Sequence, residues 1–267
     1  MTNPNDQNDH NTPEQETPSE TAPDASSGTG SEFSPAAAAS ASPISIALNI
    51  ITSPAEAFRE IERRPTKLFP LLTMIGAFVL MFVWYFMTVD FNWYVEHEVS
   101  RIPNREAADA TREFMELAGR YGNLMTYVLS AVIILPIRLA LYAGCLTLAS
   151  NLLGDEYRFS HWFSLATWTS IVTLFAAIGM AVMLLTSDGQ LAPTSLNPLS
   201  FGNLLGIQSN GTAMQMLLEN DLTVIWGLGL MVIAYRQWLG ATWTRAIIVA
   251  ASPPLVFNGS LLLIVLI

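Results

Sequence analysis

The sequence predicts an all-α bundle of membrane-spanning helices, and three observations carry that prediction. Apolar residues make up 51% of the chain and charged residues only 13%, where a soluble protein of this size carries about a quarter charged. The run Leu124 to Gly154 holds a single charge, Arg138, in 31 residues, and a bilayer core about 30 Å thick needs only ~20 apolar residues of helix. Further apolar runs follow at intervals, separated by charged or polar connections. The expected fold is a polytopic membrane helix bundle with five transmembrane helices, a disordered N-terminal tail and an interfacial helix.

Taken in order, residues 1–43 are mostly polar and small, with seven acids and no base. Such a segment cannot bury enough apolar surface to offset its ordering entropy, so disorder is expected. The start is acidic and no apolar core follows a basic stretch, so it is not a signal peptide. Residues 44–267 form the membrane domain. Ile44 to Ile61 is amphipathic, and Ser53, Pro54 and Glu56 read as a helix start: a capping serine, proline at the first helical position, and an acid three residues after the cap. Ala55, Phe58 and Ile61 then share a face, which predicts a helix over about 53–63 lying among the headgroups. Arg59, Arg63, Arg64 and Lys67 would face anionic lipid.

The first span is expected over about 69–88, with Trp84 and Tyr85 as interface anchors near its far end. Asp90 to Tyr121 is a charged connection with seven acids and four arginines, and the spacing from Arg105 onward predicts a solvated surface helix. The second span covers about 126–150 and the third about 163–186, the latter without charge. The connection Ser187 to Asp221 has no base, and its apolar patch Met214 to Leu218 is expected to rest on the bilayer surface. The fourth span covers about 222–238. The fifth covers about 246–267, is broken by Pro253 and Pro254, and carries Asn258.

Orientation follows from the bias of arginine and lysine toward the cytoplasmic side. With the N-terminus inside, seven bases fall on inner segments and four on a single outer loop, while the second outer loop has none. The expected orientation therefore has a cytoplasmic N-terminus and a periplasmic C-terminus, and Lys67 as the one lysine among the bases hints at a bacterial genome and so at a bacterial inner membrane. No basic surface suggests nucleic acid. Cys145 is the only cysteine, so an intrachain disulfide or a four-thiolate metal site is excluded. No nucleophile-elbow, zinc-protease or phosphate-loop pattern occurs, and neither an enzyme nor a cofactor is expected.

Arg138 is the candidate with the sharpest chemistry. An ionisable group inside a span costs ~2.5–3.5 kcal/mol on insertion scales and usually faces a bundle interior or a water cavity. Pro136, two places earlier, removes one helical hydrogen bond and should kink the span. Partners open to Arg138 are carbonyls freed by Pro136, hydroxyls such as Tyr142, or a lipid phosphate reached by snorkelling. It is read as a contact for an anion, headgroup or substrate, or as a snorkelling arginine in a span that starts at Ile133 or later. With Pro136 and Asn258 it forms a candidate intramembrane polar site. Ser53, Pro54, Phe58 and Arg59 form a candidate interfacial or interaction surface. Asp155, Glu156, Arg158 and His161 crowd one inner turn, where capping and a local salt bridge are expected rather than a metal.

The assembled pattern resembles the Yip family, the Ypt/Rab-interacting-protein-like membrane proteins, in its bacterial branch. The likeness runs through Ile51-Thr52-Ser53-Pro54-Ala55-Glu56-Ala57-Phe58, then Ile61, Pro65 and Pro70 ahead of the first span. It continues at Leu153-Gly154 with Phe159, and closes with Asp221, Trp226 and the Leu239-Gly240 turn. Two departures stand out. Gly154-Asp155 replaces a glycine pair, and the acidic cytoplasmic motif tied to small-GTPase binding in eukaryotic members has no counterpart. The resemblance implies a five-span fold and a membrane location, and leaves the trafficking role behind. Two functions remain. The first is a non-enzymatic protein that organises membrane protein partners or lipids. The alternative is a small transporter, channel or lipid-handling protein centred on Arg138 and the broken fifth span. Membrane lipids and other membrane proteins are the expected partners.

Overall fold

A computed structural model describes residues 42–207 and 212–266, with side chains described except at 212–213, 258 and 260–266. Of the tail expected over 1–43, residues 1–41 fall outside the described residues, while Ser42 and Pro43 already belong to the first helix and its cap. All regular elements among the described residues are helices.

The chain enters through two short helices, α1 (Pro43–Thr52) and α2 (Pro54–Arg63). Ser42 caps α1 by accepting from the Ser45 N–H at 3.1 Å. Ser53 lies between the helices as expected, but its side chain makes no capping bond. It serves both helices through its backbone instead: its N–H reaches Asn49 O at 2.8 Å, and its carbonyl accepts from Glu56 at 2.9 Å. The helix expected at the interface is present, yet its apolar face is filled by protein. Ala57, Phe58 and Ile61 are buried, Phe58 completely, whereas Ala55 is exposed.

The first long apolar helix, α3 (Leu68–Thr88), leads into α4 (Phe91–Ser100), which Asp90 caps by accepting from Asn92 and Trp93 N–H groups at 3.0 and 3.2 Å. Tyr85 is not an interface anchor. It is 1% exposed, and its hydroxyl donates to Leu191 O at 2.8 Å, in the connection that follows Thr186. Next comes α5 (Arg105–Leu129), broken at Gly119, where φ is 64°. A left-handed residue leaves neighbouring carbonyls without helical donors, and the Asn123 amide covers them, donating to Met115 O at 3.0 Å and Gly119 O at 2.8 Å. The expected surface helix and second span are thus one kinked rod. A π-helical turn, Ser130–Ile134, joins it to α6 (Leu135–Leu153), and Gly154 ends that helix at φ 78°.

The third span is α7 (Phe159–Thr169) and α8 (Leu174–Thr186), joined through a 3₁₀ turn at Ser170–Thr173. Three short helices follow, α9 (Pro193–Leu196), α10 (Phe201–Leu205) and α11 (Thr212–Leu218). The last two are α12 (Leu222–Leu239), capped by Asp221, and α13 (Trp243–Leu266), with Pro253 and Pro254 inside it. Four segments have the length and apolarity to cross a membrane: Leu68–Thr88, Arg105–Leu153, Phe159–Thr186 and Leu222–Leu239. The described apolar part of α13, Trp243–Phe257, is shorter.

Two apolar clusters hold the bundle. One joins α1 and α2 to α6, α7, α12 and α13 around Phe58, Trp162, Trp168 and Tyr235. The other joins the far half of α3 to α4, α5 and α8 around Phe86, Tyr94 and Met180. Hydrogen bonds fasten α2 to the end of α12: Trp238 Nε1 donates to Phe58 O at 3.0 Å, and Gln237 Nε2 donates to Ala55 O at 2.8 Å. Asp155 reaches Arg245 at 3.1 Å instead of making the expected salt bridge within its own turn.

Candidate functional site

Arg138 stands on the wall of a cavity of about 330 Å³ bounded by α6, α12, α13 and the 3₁₀ turn after α7. Two irregular stretches of the bundle, the 3₁₀ turn after α7 and the proline pair in α13, border this space. Pro136 cannot donate to the ladder, and its ring would crowd the carbonyl of Val132 in a tight α-helix. The wider π turn just before it relieves that crowding and re-aims the following residues, as such turns do at functional sites. Pro136 itself is not part of the wall. Across from Arg138, the 3₁₀ turn supplies Ser170 and Thr173, and the break in α13 supplies Pro253 and Pro254.

Proline at 253 and 254 leaves two carbonyls, at Val249 and Ala250, without the N–H groups that a helix would aim at them. Both are covered by hydroxyls. Ser252 Oγ donates to Val249 O at 3.1 Å, and Tyr142 Oη donates to Ala250 O at 2.9 Å. Tyr142, expected from sequence as a partner of Arg138, therefore spends its proton on joining α6 to α13. The backbones also come close opposite this point. A Cβ at Gly227 would stand 3.1 Å from Thr169 O, tighter than an ordinary contact, so glycine eases the close approach of α12 to the turn.

Arg138 has no ion-pair or hydrogen-bond partner among the described residues, and its side chain is exposed. The acid that acts on it electrostatically is Asp221, beyond ion-pair distance. That carboxylate is already engaged. It accepts from the N–H groups of Thr223 at 2.9 Å and Val224 at 3.3 Å, from the Thr223 hydroxyl, and from Asn197 Nδ2 at 2.8 Å. Thr173 Oγ1, buried on the same wall, has no partner either. At 1.5 Å per residue Arg138 lies about 22 Å from the end of α6 at Leu153, and α12 is about 27 Å long. Arg138 thus lies within the span-length apolar segment Arg105–Leu153, on the same cavity wall as Asn220 and Thr223 beside Asp221.

The other residues named from sequence fall elsewhere. The side chain of Asn258 lies outside the described residues. Ser53, Pro54, Phe58 and Arg59 cluster at the opposite end of α12, around Trp238. There Phe58 is fully buried, while Arg59 is exposed and folds back onto Ala55 O at 3.2 Å. Sequence reasoning missed Ser170, Thr173 and Thr223 as wall residues. The available signal was the run of hydroxyls Thr167, Thr169, Ser170 and Thr173 within a span free of charge.

Residues 48–266 match the Yip1 domain family. No curated protein and no solved structure matches the chain. A match over most of the chain, on an all-helical bundle of span-length apolar helices, gives the assignment: the protein is an integral membrane protein and a member of the Yip1 domain family.

Proposed function

We propose that this protein is a non-enzymatic, five-span protein of the bacterial inner membrane that binds an anionic ligand inside its helix bundle at Arg138. One observation carries the reading: a guanidinium in a span-length apolar segment lines a cavity without a counter-charge at ion-pair distance among the described residues. An unpaired charge within a span is costly, so the site is complete only when an anion supplies the missing partner. The groups around it are one cation and several hydroxyls, an arrangement suited to holding charge rather than to moving a proton between base and nucleophile. Of the two functions read from sequence, this favours the ligand-handling one.

Mass spectrometry of the protein extracted in native-membrane particles tests the proposal, with wild type compared to Arg138→Leu. A small anionic species bound to wild type and lost from the variant is expected. Equal small-molecule content in both, with a polypeptide retained in both, would overturn it and leave the organiser reading. That second reading draws support from the α1–α2 pair, which displays Arg59, Arg63 and Arg64 at the end of the bundle away from Arg138. Its expected result is crosslinking of that pair to another membrane protein in native membranes.

A further inference from the structure

The Arg138 site offers more than a place for a bare anion. Its volume, about 330 Å³, reaches the lower edge of the range for small-molecule pockets, roughly 300–1,000 Å³, and exceeds what a lone phosphate or halide fills. Much of the wall is apolar. Leu139 and Leu141 from α6, Leu228 from α12, and Val256 from α13 all contribute. Two of these wall residues also face outward: Leu141 is 52% exposed and Val256 67%. On a membrane-embedded bundle that outward face meets acyl chains, so the cavity opens sideways, between α6 and α13, toward lipid. The Tyr142 to Ala250 hydrogen bond holds the same two helices together. A cation at one end of an apolar slot that opens laterally matches an amphiphile with an anionic head and a hydrocarbon chain.

We infer that the ligand is an anionic lipid, entering from the leaflet on the Asp221 side, with its phosphate or carboxylate on Arg138 and an acyl chain in the slot between α6 and α13. This rests on Arg138 being an anion-binding residue. Water-soluble anions share the head chemistry but leave the apolar slot unused. A lipid arriving sideways keeps its chain in hydrocarbon throughout.

Cys145 supplies the readout, because it lines the cavity, is exposed, and is the only cysteine in the chain. The test follows the rate of N-ethylmaleimide labelling of Cys145 in the full-length protein in detergent. The probes are dioctanoyl phosphatidic acid, inorganic phosphate and dioctanoylglycerol. Phosphatidic acid is expected to slow labelling at least ~fivefold at saturation, with little change from millimolar phosphate or from the uncharged diacylglycerol. In Arg138→Leu the half-protecting concentration of phosphatidic acid should rise ~tenfold or more. Val256→Trp, on an outward-facing residue, should weaken protection by phosphatidic acid while leaving Arg138 in place, and it stands in if the arginine variant misfolds. Protection by phosphate alone that depends on Arg138 would overturn the lipid assignment while leaving anion binding intact. Equal protection of wild type and Arg138→Leu by phosphatidic acid would overturn both. Absence of protection by any probe would overturn the lipid inference.

Discussion

The hydroxyl that Tyr142 lends to α13 gives a quantitative handle on how the cavity is built. Pro254 deprives Ala250 O of a helical donor, and Tyr142 Oη replaces it at 2.9 Å. Replacing Tyr142 with Phe keeps the ring and removes that donor. Leaving a buried acceptor unpaired costs ~1–3 kcal/mol, and hydrogen bonds between membrane helices measured by double-mutant cycles average ~0.6 kcal/mol with a maximum near ~1.7. A loss of ~1–1.5 kcal/mol is therefore expected for Tyr142→Phe alone. In a Pro254→Ala background the new alanine N–H can donate to Ala250 O along the helix, and Tyr142→Phe should then cost under ~0.5 kcal/mol. The coupling of ~1 kcal/mol is about a fivefold difference in the unfolding equilibrium. Reversible unfolding in mixed dodecyl sulfate micelles, followed by tryptophan fluorescence across the four proteins of the cycle, measures it. Additivity within ~0.3 kcal/mol would refute the assignment of Tyr142 as the substitute donor.

Other perturbations probe the rest of the bundle. Phe58→Ala empties a fully buried site beneath Trp238 and should cost ~3–5 kcal/mol. Hydrogen exchange across 43–63 should rise far more than across α3, and a uniform rise would contradict the docking of α1 and α2. Arg120 donates to Phe86 O and Val89 O at the end of α3, so Arg120→Ala should lower the melting temperature and speed exchange there, whereas an unchanged melting temperature would remove this cap from the account. Glu98 on α4 has its carboxyl pushed above the usual range by burial, against the pull of Arg101 and His97, with Glu219 adding to the rise. The folded protein thus holds that proton more tightly than the unfolded chain does. The associated stability is complete below the ordinary glutamate value near ~4.3 and is lost as pH rises through the folded value. Glu98→Gln should match wild type at the acid end and exceed it at neutral pH, as read by thermal unfolding in detergent. Parallel curves for the two proteins would argue against a buried carboxyl at this position.

The spans were legible because apolar run length is a one-dimensional signal, and the bilayer imposes the length. The observed ends of α3 and α12, at Leu68, Thr88, Leu222 and Leu239, lie within a residue of those expected from the apolar runs alone. A local disturbance at Pro136 was legible for the same reason, since proline acts on its own helix, and it takes the form of a π turn over Ser130–Ile134. What the sequence hid was which face each helix turns to which neighbour. Phe58 reads equally well as lipid-facing or bundle-facing until Trp238 and Gln237, some 180 residues later, are found to clasp its helix. Tyr85 looked like an interface aromatic because its span ends there, while its actual partner is a carbonyl 106 residues away. At the site, Arg138 stood out as a lone charge, but Thr173, Ser170 and Asp221 come to it only through the packing of α6 against α7 and α12. Hydroxyls in an apolar run can always bond back to their own helix, as Thr169 does to Leu165 O. Composition therefore does not distinguish a wall residue from a self-satisfied one.

The central claim is that Arg138 faces a cavity whose counter-charge comes from outside the chain. A density map of the protein extracted with its native lipids, at a resolution that shows side chains, tests it most directly. Non-protein density is expected in the cavity, with an anionic group within ~3 Å of the Arg138 guanidinium and Tyr142 still bonded to Ala250 O. An Arg138 side chain bound instead to a carboxylate or carbonyl of its own chain, beside an empty cavity, would contradict it.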